Sequence, residues 1–280
     1  KKPIFPVLPS TYTAKEEVAE FLDKGRINFP DEVLLGRALG SIINTAPPYY
    51  DENALPEIDH NAIREIIDSS EGGYLLPEKI QGLLDAAGIP RAKELVVHSE
   101  SDAVREASEI GFPVVMKVVG PLHKSDVGAV SLSIPNEKKV ASEYHRLMKV
   151  KDAQGILIQP MLSGRELFVG AIREKKFGHT IMCGFGGIFI EVVKDVQAAI
   201  SPVDKKEALD MIHSLRSYKI FEGVRGQKGI NEQRYAEIIT RVSALLEAAP
   251  EINEMDLNPL MGNDKDVIAV DARISIEKHK

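Results

Sequence analysis

Residues 111–130 read GFPVVMKVVGPLHKSDVGAV, and this stretch decides how the rest of the chain is understood. FPVVMKVV is a strand with one charge in it. Side chains alternate along a strand, so Val115, Lys117 and Val119 share one sheet face while Val114, Met116 and Val118 share the other. An ammonium among valines loses hydration unless an anion meets it. The plainer alternative is an edge-strand lysine reaching out to solvent. Behind the strand, Gly120 and Pro121 open a loop holding His123 and Lys124. A neutral imidazole can attack phosphorus and later surrender the phosphoryl group, and Lys124 would balance the charge of the product. A loop histidine without a task is the bland alternative, and His213 and His279 receive that bland reading.

Around this stretch the pattern is compact α/β alternation. LLPEKIQGLLDAAGIP (75–90) predicts a helix ended by Gly88 and Pro90, AKELVVH a strand, and SESDAVREASEIG a helix capped by Ser99 or Ser101. VSLSI is a strand and NEKKVASEYHRLMKV a helix. Beyond residue 150 come four strands, GILIQPML, RELFVGAIRE, HTIMCGF and GIFIEVV. Two helices follow, DKKEALDMIHSLRS and NEQRYAEIITRVSALLEAA, and then INEMDLNPLM and VIAVDARISI as two strands joined by GNDKD. N-terminal to all this, PIFPVLPS predicts a short strand, AKEEVAEFLDKG a helix closed by Gly25, and PDEVLLGRALGSIINT a helix with Pro30 in its first turn. The proline- and acid-rich APPYYDENALPEIDHN is expected to be a linker or boundary.

The terminal hairpin fixes a register. If GNDKD turns between Asp264 and Lys265, Asn258 lies opposite Asp271 and Asp256 opposite Arg273, all on one face. Leu257, Pro259, Met261, Ile268, Val270 and Ala272 are then expected on the other, apolar face. Asn258 and Asp271 offer two hard oxygen ligands close together, with Asp256 near, a set that suits Mg²⁺ shared with phosphate oxygens and water. A solvent-facing polar strand pair is the alternative. In CGFGGIFIEVV, Gly184, Gly186 and Gly187 allow close approach of backbone to a ligand, as a tight turn also would. Glu191 and Asp195 are further candidate carboxylates.

Composition sets outer bounds. The 280 residues are 44% hydrophobic and 28% charged, an ordinary globular balance with room for one large or two modest domains. A net charge of −7 argues against binding nucleic acid or an anionic membrane. One cysteine, Cys183, excludes an intrachain disulfide framework and points to a reducing cytoplasm. No apolar run reaches the roughly 18 residues of a membrane span. The opening KKPIFPVLPS lacks a methionine, which suggests processing or a piece of something longer.

Taken in order, GFPVVMKVVGPLHKSDVGAV, ILIQPMLSGRELFVGAIREKKFGH, GFGGIFIEVVKD, GVRG and EMDLNPL…VIAVDAR resemble the ADP-forming (NDP-forming) acyl-CoA synthetases, relatives of succinyl-CoA synthetase, over residues 73–275. The resemblance implies an ATP-grasp fold of class α/β (α+β), with subdomains at 71–150 and 151–280 clamping a nucleotide, a linker at 46–70, and at 1–45 the tail of a flavodoxin-like CoA-ligase domain. It implies that Lys117 contacts the phosphates and that Gln159, Pro160 and Met161 form a hinge whose backbone reads adenine. Glu166 falls near the nucleotide, Asn258 and Asp271 match magnesium ligands, and His123 matches a phosphorylated relay on a loop hinged at Gly120 and Gly128. The implied cofactors are ATP or ADP and Mg²⁺, with CoA held by a portion absent from this chain. Nucleotide, phosphate and acyl-CoA or carboxylate are the implied partners, within a homo- or hetero-oligomer.

Two departures stand out: Ala129 where a second glycine is usual, and Ala199 where an arginine is common, which leaves Arg225 as a candidate phosphate-holding residue. The leading function is phosphoryl exchange within reversible conversion of acyl-CoA, ADP and phosphate to carboxylate, CoA and ATP. The alternative is a regulatory nucleotide-binding module of a protein lysine acetyltransferase. A carboxylate–amine ligase is disfavoured because it needs no loop histidine.

Overall fold

The computed structural model describes residues 4–8, 13–45, 55–120, 128–187, 195–223 and 228–278. The chain divides into two compact units, Lys1–Asp51 and Glu52–Lys280.

The N-terminal unit has two helices, α1 (Lys15–Asp23) and α2 (Glu32–Asn44). In place of the expected opening strand there is a single parallel bridge, Val7 to Phe29. Helix α2 is capped by Asp31, whose carboxylate accepts from Leu34 N at 2.7 Å, so Pro30 stands before the helix rather than in its first turn. Ile4, Ile27, Ile42 and Ile43 are exposed.

The second unit begins with α3 (His60–Asp68), in the stretch expected to be linker. Asp59 caps it, and Ile63 and Ile67, one turn apart, are fully buried in the larger core. Next come β1 (Gly73–Tyr74), α4 (Pro77–Ala86), β2 (Leu95–Val97), α5 (Glu100–Ile110), β3 (Val114–Val119), β4 (Val130–Ile134) and α6 (Glu137–Leu147). They are followed by β5 (Gly155–Pro160), β6 (Arg165–Glu174), β7 (Gly178–Phe185), β8 (Val196–Ile200), α7 (Lys205–His213), α8 (Glu232–Ala248), β9 (Ile252–Gly262), β10 (Val267–Ala269) and β11 (Ala272–Ile276). The predicted GIFIEVV strand lies, from Ile188 on, outside the described residues. Strand β8 is an addition to the sequence reading.

Two antiparallel sheets result. One has the order β2-β5-β3-β4; the other runs β1-β11-β9-β6-β7-β8, with β10 also on β9. Strand β5 pairs with β3, so the smaller sheet crosses the expected boundary at residue 150. Met116, Ile156 and Ile158 pack on one face of that sheet with Ala103 and Ala107 of α5 and Val140 and Leu147 of α6. The larger core is built on β6, β7, β9 and β11, with α3, α4, α7 and α8 contributing side chains to it.

Tyr235 of α8 locks the larger sheet. Its fully buried hydroxyl donates to Phe168 O at 2.6 Å and accepts from Gly184 N at 3.0 Å, bridging β6 and β7 where those residues pair. Gly184 is required there: a Cβ would lie 2.5 Å from Asp195 O and 2.9 Å from the Phe168 ring. Burial pushes the neighbouring Cys183 thiol up to about 12, so the lone cysteine is an inert core residue. Gly184→Ala should destabilise the protein by ~1–3 kcal/mol through overpacking, read as a lowered urea midpoint. An unchanged midpoint would mean that β7 and β8 can separate at no cost.

Candidate functional site

Lys117 sits on β3, which is flanked by β5 and β4, so this is a central strand and the edge-lysine alternative is removed. The side chain is half-buried, and its ammonium crosses to the larger sheet, donating to Val270 O at 3.1 Å. The next residue is Asp271. A cavity of about 440 Å³ opens here, with Arg91, Glu94, Lys117, Asp271 and Arg273 at its polar end and Tyr74 and Ile80 on its apolar wall.

The hairpin register agrees with the sequence expectation. Asp256 pairs with Arg273 and Leu257 with Ala272, and Asn258 N donates to Asp271 O at 3.2 Å. The apolar face differs from the expected one. Leu257 is buried, but Leu260, Val267 and Ala269 fill the core, while Pro259, Met261, Ile268, Val270 and Ala272 are only half-buried. The reason is a bulge against β6, where Val169 faces Leu257 and Leu167 faces Leu260. Three steps along β9 match two along β6, which exchanges inside for outside. Asn258 and Asp271 stand at this switch.

Asn258 leads to the glycine cluster. Its Oδ1 lies 3.3 Å from the Cβ position of Gly186, and Gly186 N donates to Glu166 O at 2.8 Å. Gly187 has a φ of +57°, and a Cβ on it would overlap Glu166 Oε2 at 2.0 Å. Glu166, Gly186, Gly187 and Asn258 therefore meet in one place, next to the Asp271 pairing.

On β5, Leu157 pairs with Lys117 and Gln159 with Val115. Met161 N donates to Pro113 O at 3.1 Å. Ladder alternation then engages the Gln159 backbone with β3 and turns the Pro160 carbonyl away from it, beyond the Leu95–Ile158 pair that ends the contact with β2. His123 and Arg225 lie outside the described residues. Ala199 pairs with Ile181 and packs on the larger core.

Charges crowd the polar end. Burial pushes the Glu94 carboxyl up; a hydrogen bond from Gln81 Nε2 at 3.0 Å and the charges of Lys117 and Arg91 oppose it. Burial likewise raises Asp256, opposed by Arg273 and reinforced by the negative charge of Asp271. Among the described residues no three His, Cys, Asp or Glu side chains form a metal cage. An amide oxygen and a carboxylate on paired strands nonetheless fit a hard cation that keeps water and phosphate oxygens as its other ligands.

The ATP-grasp domain model matches residues 66–276. The chain belongs to the ATP-grasp family. It is 40% identical over 223 residues to the beta subunit of acetate–CoA ligase [ADP-forming] I of Pyrococcus furiosus, covering 75% of this chain and 96% of the relative. Against acetate–CoA ligase [ADP-forming] I of Archaeoglobus fulgidus identity is 35% over 262 residues, 88% of this chain but 38% of that protein. Among solved structures, dinucleotide-forming acetyl-coenzyme A synthetase 1 of Ca. Korarchaeum cryptofilum matches with a TM-score of 0.72 and 33% identity, covering 76% of this chain and 99% of that one.

This ATP-grasp chain also carries site residues that sequence reading passed over. Glu94, Arg91 and Gln81 come from a loop and a helix whose local pattern signals only secondary structure. The Glu143–Arg146 pair on α6 is another case. Arg146 holds Gly128 O at 2.8 Å, on the C-terminal side of residues 121–127, and Glu143 accepts from Arg146 Nε at 2.6 Å and Ser131 Oγ at 2.7 Å. On the N-terminal side of the same residues, a Cβ on Gly120 would meet Asp152 O at 2.7 Å. Lys139 above all, then Ser131 and Arg146, bring the Glu143 carboxyl from its ordinary 4.5 down to about 2. A depressed folded pKa stabilises above the unfolded value and fades as pH falls toward the folded one. Glu143→Gln should thus cost ~1–3 kcal/mol at pH 7. Urea unfolding should show that deficit shrinking between about pH 5 and pH 3.5; a pH-independent deficit would contradict the assignment.

Proposed function

We propose that this chain is the nucleotide-binding part of an ADP-forming acyl-CoA ligase and exchanges a phosphoryl group between ATP or ADP and His123. The observation that carries this reading is the Lys117 ammonium resting on the Val270 carbonyl, one residue before an Asp271 paired with Asn258. A cation and a hard-ligand pair at one spot between two sheets suit a polyphosphate. The structural relative supports the reading: it was solved with coenzyme A and Ca-AMPCP. Another structure of that synthetase holds Mg-AMPPCP with its phosphohistidine segment pointing towards the nucleotide binding site.

In the mechanism, Lys117 leaves the Val270 carbonyl for phosphate oxygens and neutralises charge on the transferring group. An imidazole nitrogen of His123 attacks the γ-phosphorus; the bond to the bridging oxygen breaks and ADP departs. The reverse step makes ATP. Asn258 and Asp271 would hold Mg²⁺, which when bound screens the phosphate oxygens. Gly186 and Gly187 leave room for close approach, and the Pro160 carbonyl is available to a base, while the Met161 N–H is already donated to Pro113 O. The acyl and CoA steps belong to a CoA-ligase portion on a partner subunit or the same longer chain, and residues 1–45 are the tail of such a portion. The exposed isoleucines of that unit and a match to the Archaeoglobus ligase extending over 88% of the chain support this.

Incubation with γ-labelled ATP and Mg²⁺ should give acid-labile, base-stable phosphate on this chain. His123→Ala should abolish labelling, and Lys117→Met should slow it about a hundredfold. Chelation by EDTA should stop labelling, and Asp271→Asn should raise the magnesium requirement. A His123→Ala variant labelled like the wild type would sink the relay.

A further inference from the structure

The larger sheet turns one face into its core, where Val169, Ala171, Ile181 and Cys183 meet α7 and α8. Side chains one residue away point to the other face, and the strand pairings set them in rows. One row runs Arg273, Asp256, Gly170, Met182, Ala198 from β11 to β8. The next runs Ser275, Glu254, Ile172, Thr180, Ile200. The two halves of these rows differ in kind. On β9 and β11 they are polar, as befits a sheet face in water. On β6, β7 and β8 no member is charged, and Ile172 and Ile200 are 43% and 53% exposed.

Strand β8, VQAAI, ends the sheet and carries neither charge nor proline, the devices that keep a free edge from pairing. Beyond the rows, Phe177 stands 67% exposed in the β6–β7 turn. An exposed apolar strip beside an uncharged edge marks a surface that another body covers. Its position says which body. The strip begins one strand from Asp256, which shares β9 with Asn258, so whatever lies on it adjoins the phosphate end of the site. In the reaction above, the phosphoryl group passes between His123 and a CoA-ligase portion, which must therefore meet this chain near that end. The match spans 38% of the Archaeoglobus ligase, so most of such a protein lies outside this chain.

We infer that the part of the CoA-ligase portion outside this chain docks on the strip of Gly170, Ile172, Met182, Ala198 and Ile200 and along β8, through a matching uncharged, apolar surface; this rests on the function proposed above. Such a contact excludes water from the isoleucines and satisfies the edge of the sheet, while the polar half of the same face stays free for the phosphate chemistry.

The test compares this chain alone with the complete ligase, in which it is joined to its CoA-ligase portion. Deuterium uptake at residues 196–200 should be about tenfold slower in the complete ligase. Ala198→Glu and Ile200→Lys bury a charge in the contact and should lower acyl-CoA synthesis about tenfold or more, while ATP labelling of His123 stays within about twofold and the chain alone melts as before. Ile172→Thr, which keeps a β-branched residue on the strand, should lower synthesis a few-fold with labelling unchanged. Equal uptake in the two samples, or variants that synthesise like the wild type, overturns the docking surface. Labelling that falls in step with synthesis in all three variants overturns it too. If sedimentation shows that the chain alone pairs with itself, and the charged variants undo that pairing without loss of synthesis, a second copy covers the strip instead. A wild type that takes no label from ATP overturns the relay reading, while the uptake comparison still decides the docking.

Discussion

One charge in an apolar strand organises the second unit. Lys117 lies in the middle of the smaller sheet, between strands on both sides, and cannot reach solvent along an edge. Its ammonium reaches across the gap and donates to the Val270 carbonyl. The negative charge of Glu94 also acts on it, so a carbonyl and a carboxylate together offset the partial burial of the cation. Everything else at the polar end is arranged around that cation. Asp271 follows Val270, Asn258 pairs with Asp271, and Glu94 and Asp256 carry carboxyls raised mainly by burial.

The second constraint is the bulge between Leu257 and Leu260. A regular β9 would keep one parity along its whole length and place either its N-terminal or its C-terminal half wrongly for the core. The extra residue lets Met255 and Leu257, then Leu260, all face inward, and it falls where Asn258 and Asp271 must project. Glycines complete the shape. Gly184 admits the Asp195 carbonyl and the Phe168 ring, and Gly186 and Gly187 let the chain pass under Asn258 and Glu166.

Much of this was legible in the sequence where the signal is local. The turn GNDKD set the hairpin register, and Ser99 and Gly88 marked helix ends that the structure retains. The switch of parity was not legible, because it depends on which residues of β6 lie alongside. Helix α3 was hidden by the proline-rich stretch before it, and only burial against the larger core reveals the pairing of Ile63 with Ile67. VQAAI lacks the alternation that marks a strand and becomes β8 by pairing with β7. Lys117, Asn258, Asp271, Glu166, Gly186 and Gly187 carried motif signals and do gather on facing surfaces. Glu94 and Arg91 carried none, since their part depends on contacts across distant segments.

The central claim is that Asn258 and Asp271 form a magnesium–phosphate seat against Lys117. A crystal structure of this chain with Mg²⁺ and a non-hydrolysable ATP analogue tests it most directly. The account requires the metal about 2.1 Å from Asn258 Oδ1 and an Asp271 carboxylate oxygen, with the Lys117 ammonium moved from Val270 O to a phosphate oxygen. A metal and phosphates bound elsewhere, with Lys117 still on that carbonyl, would contradict it.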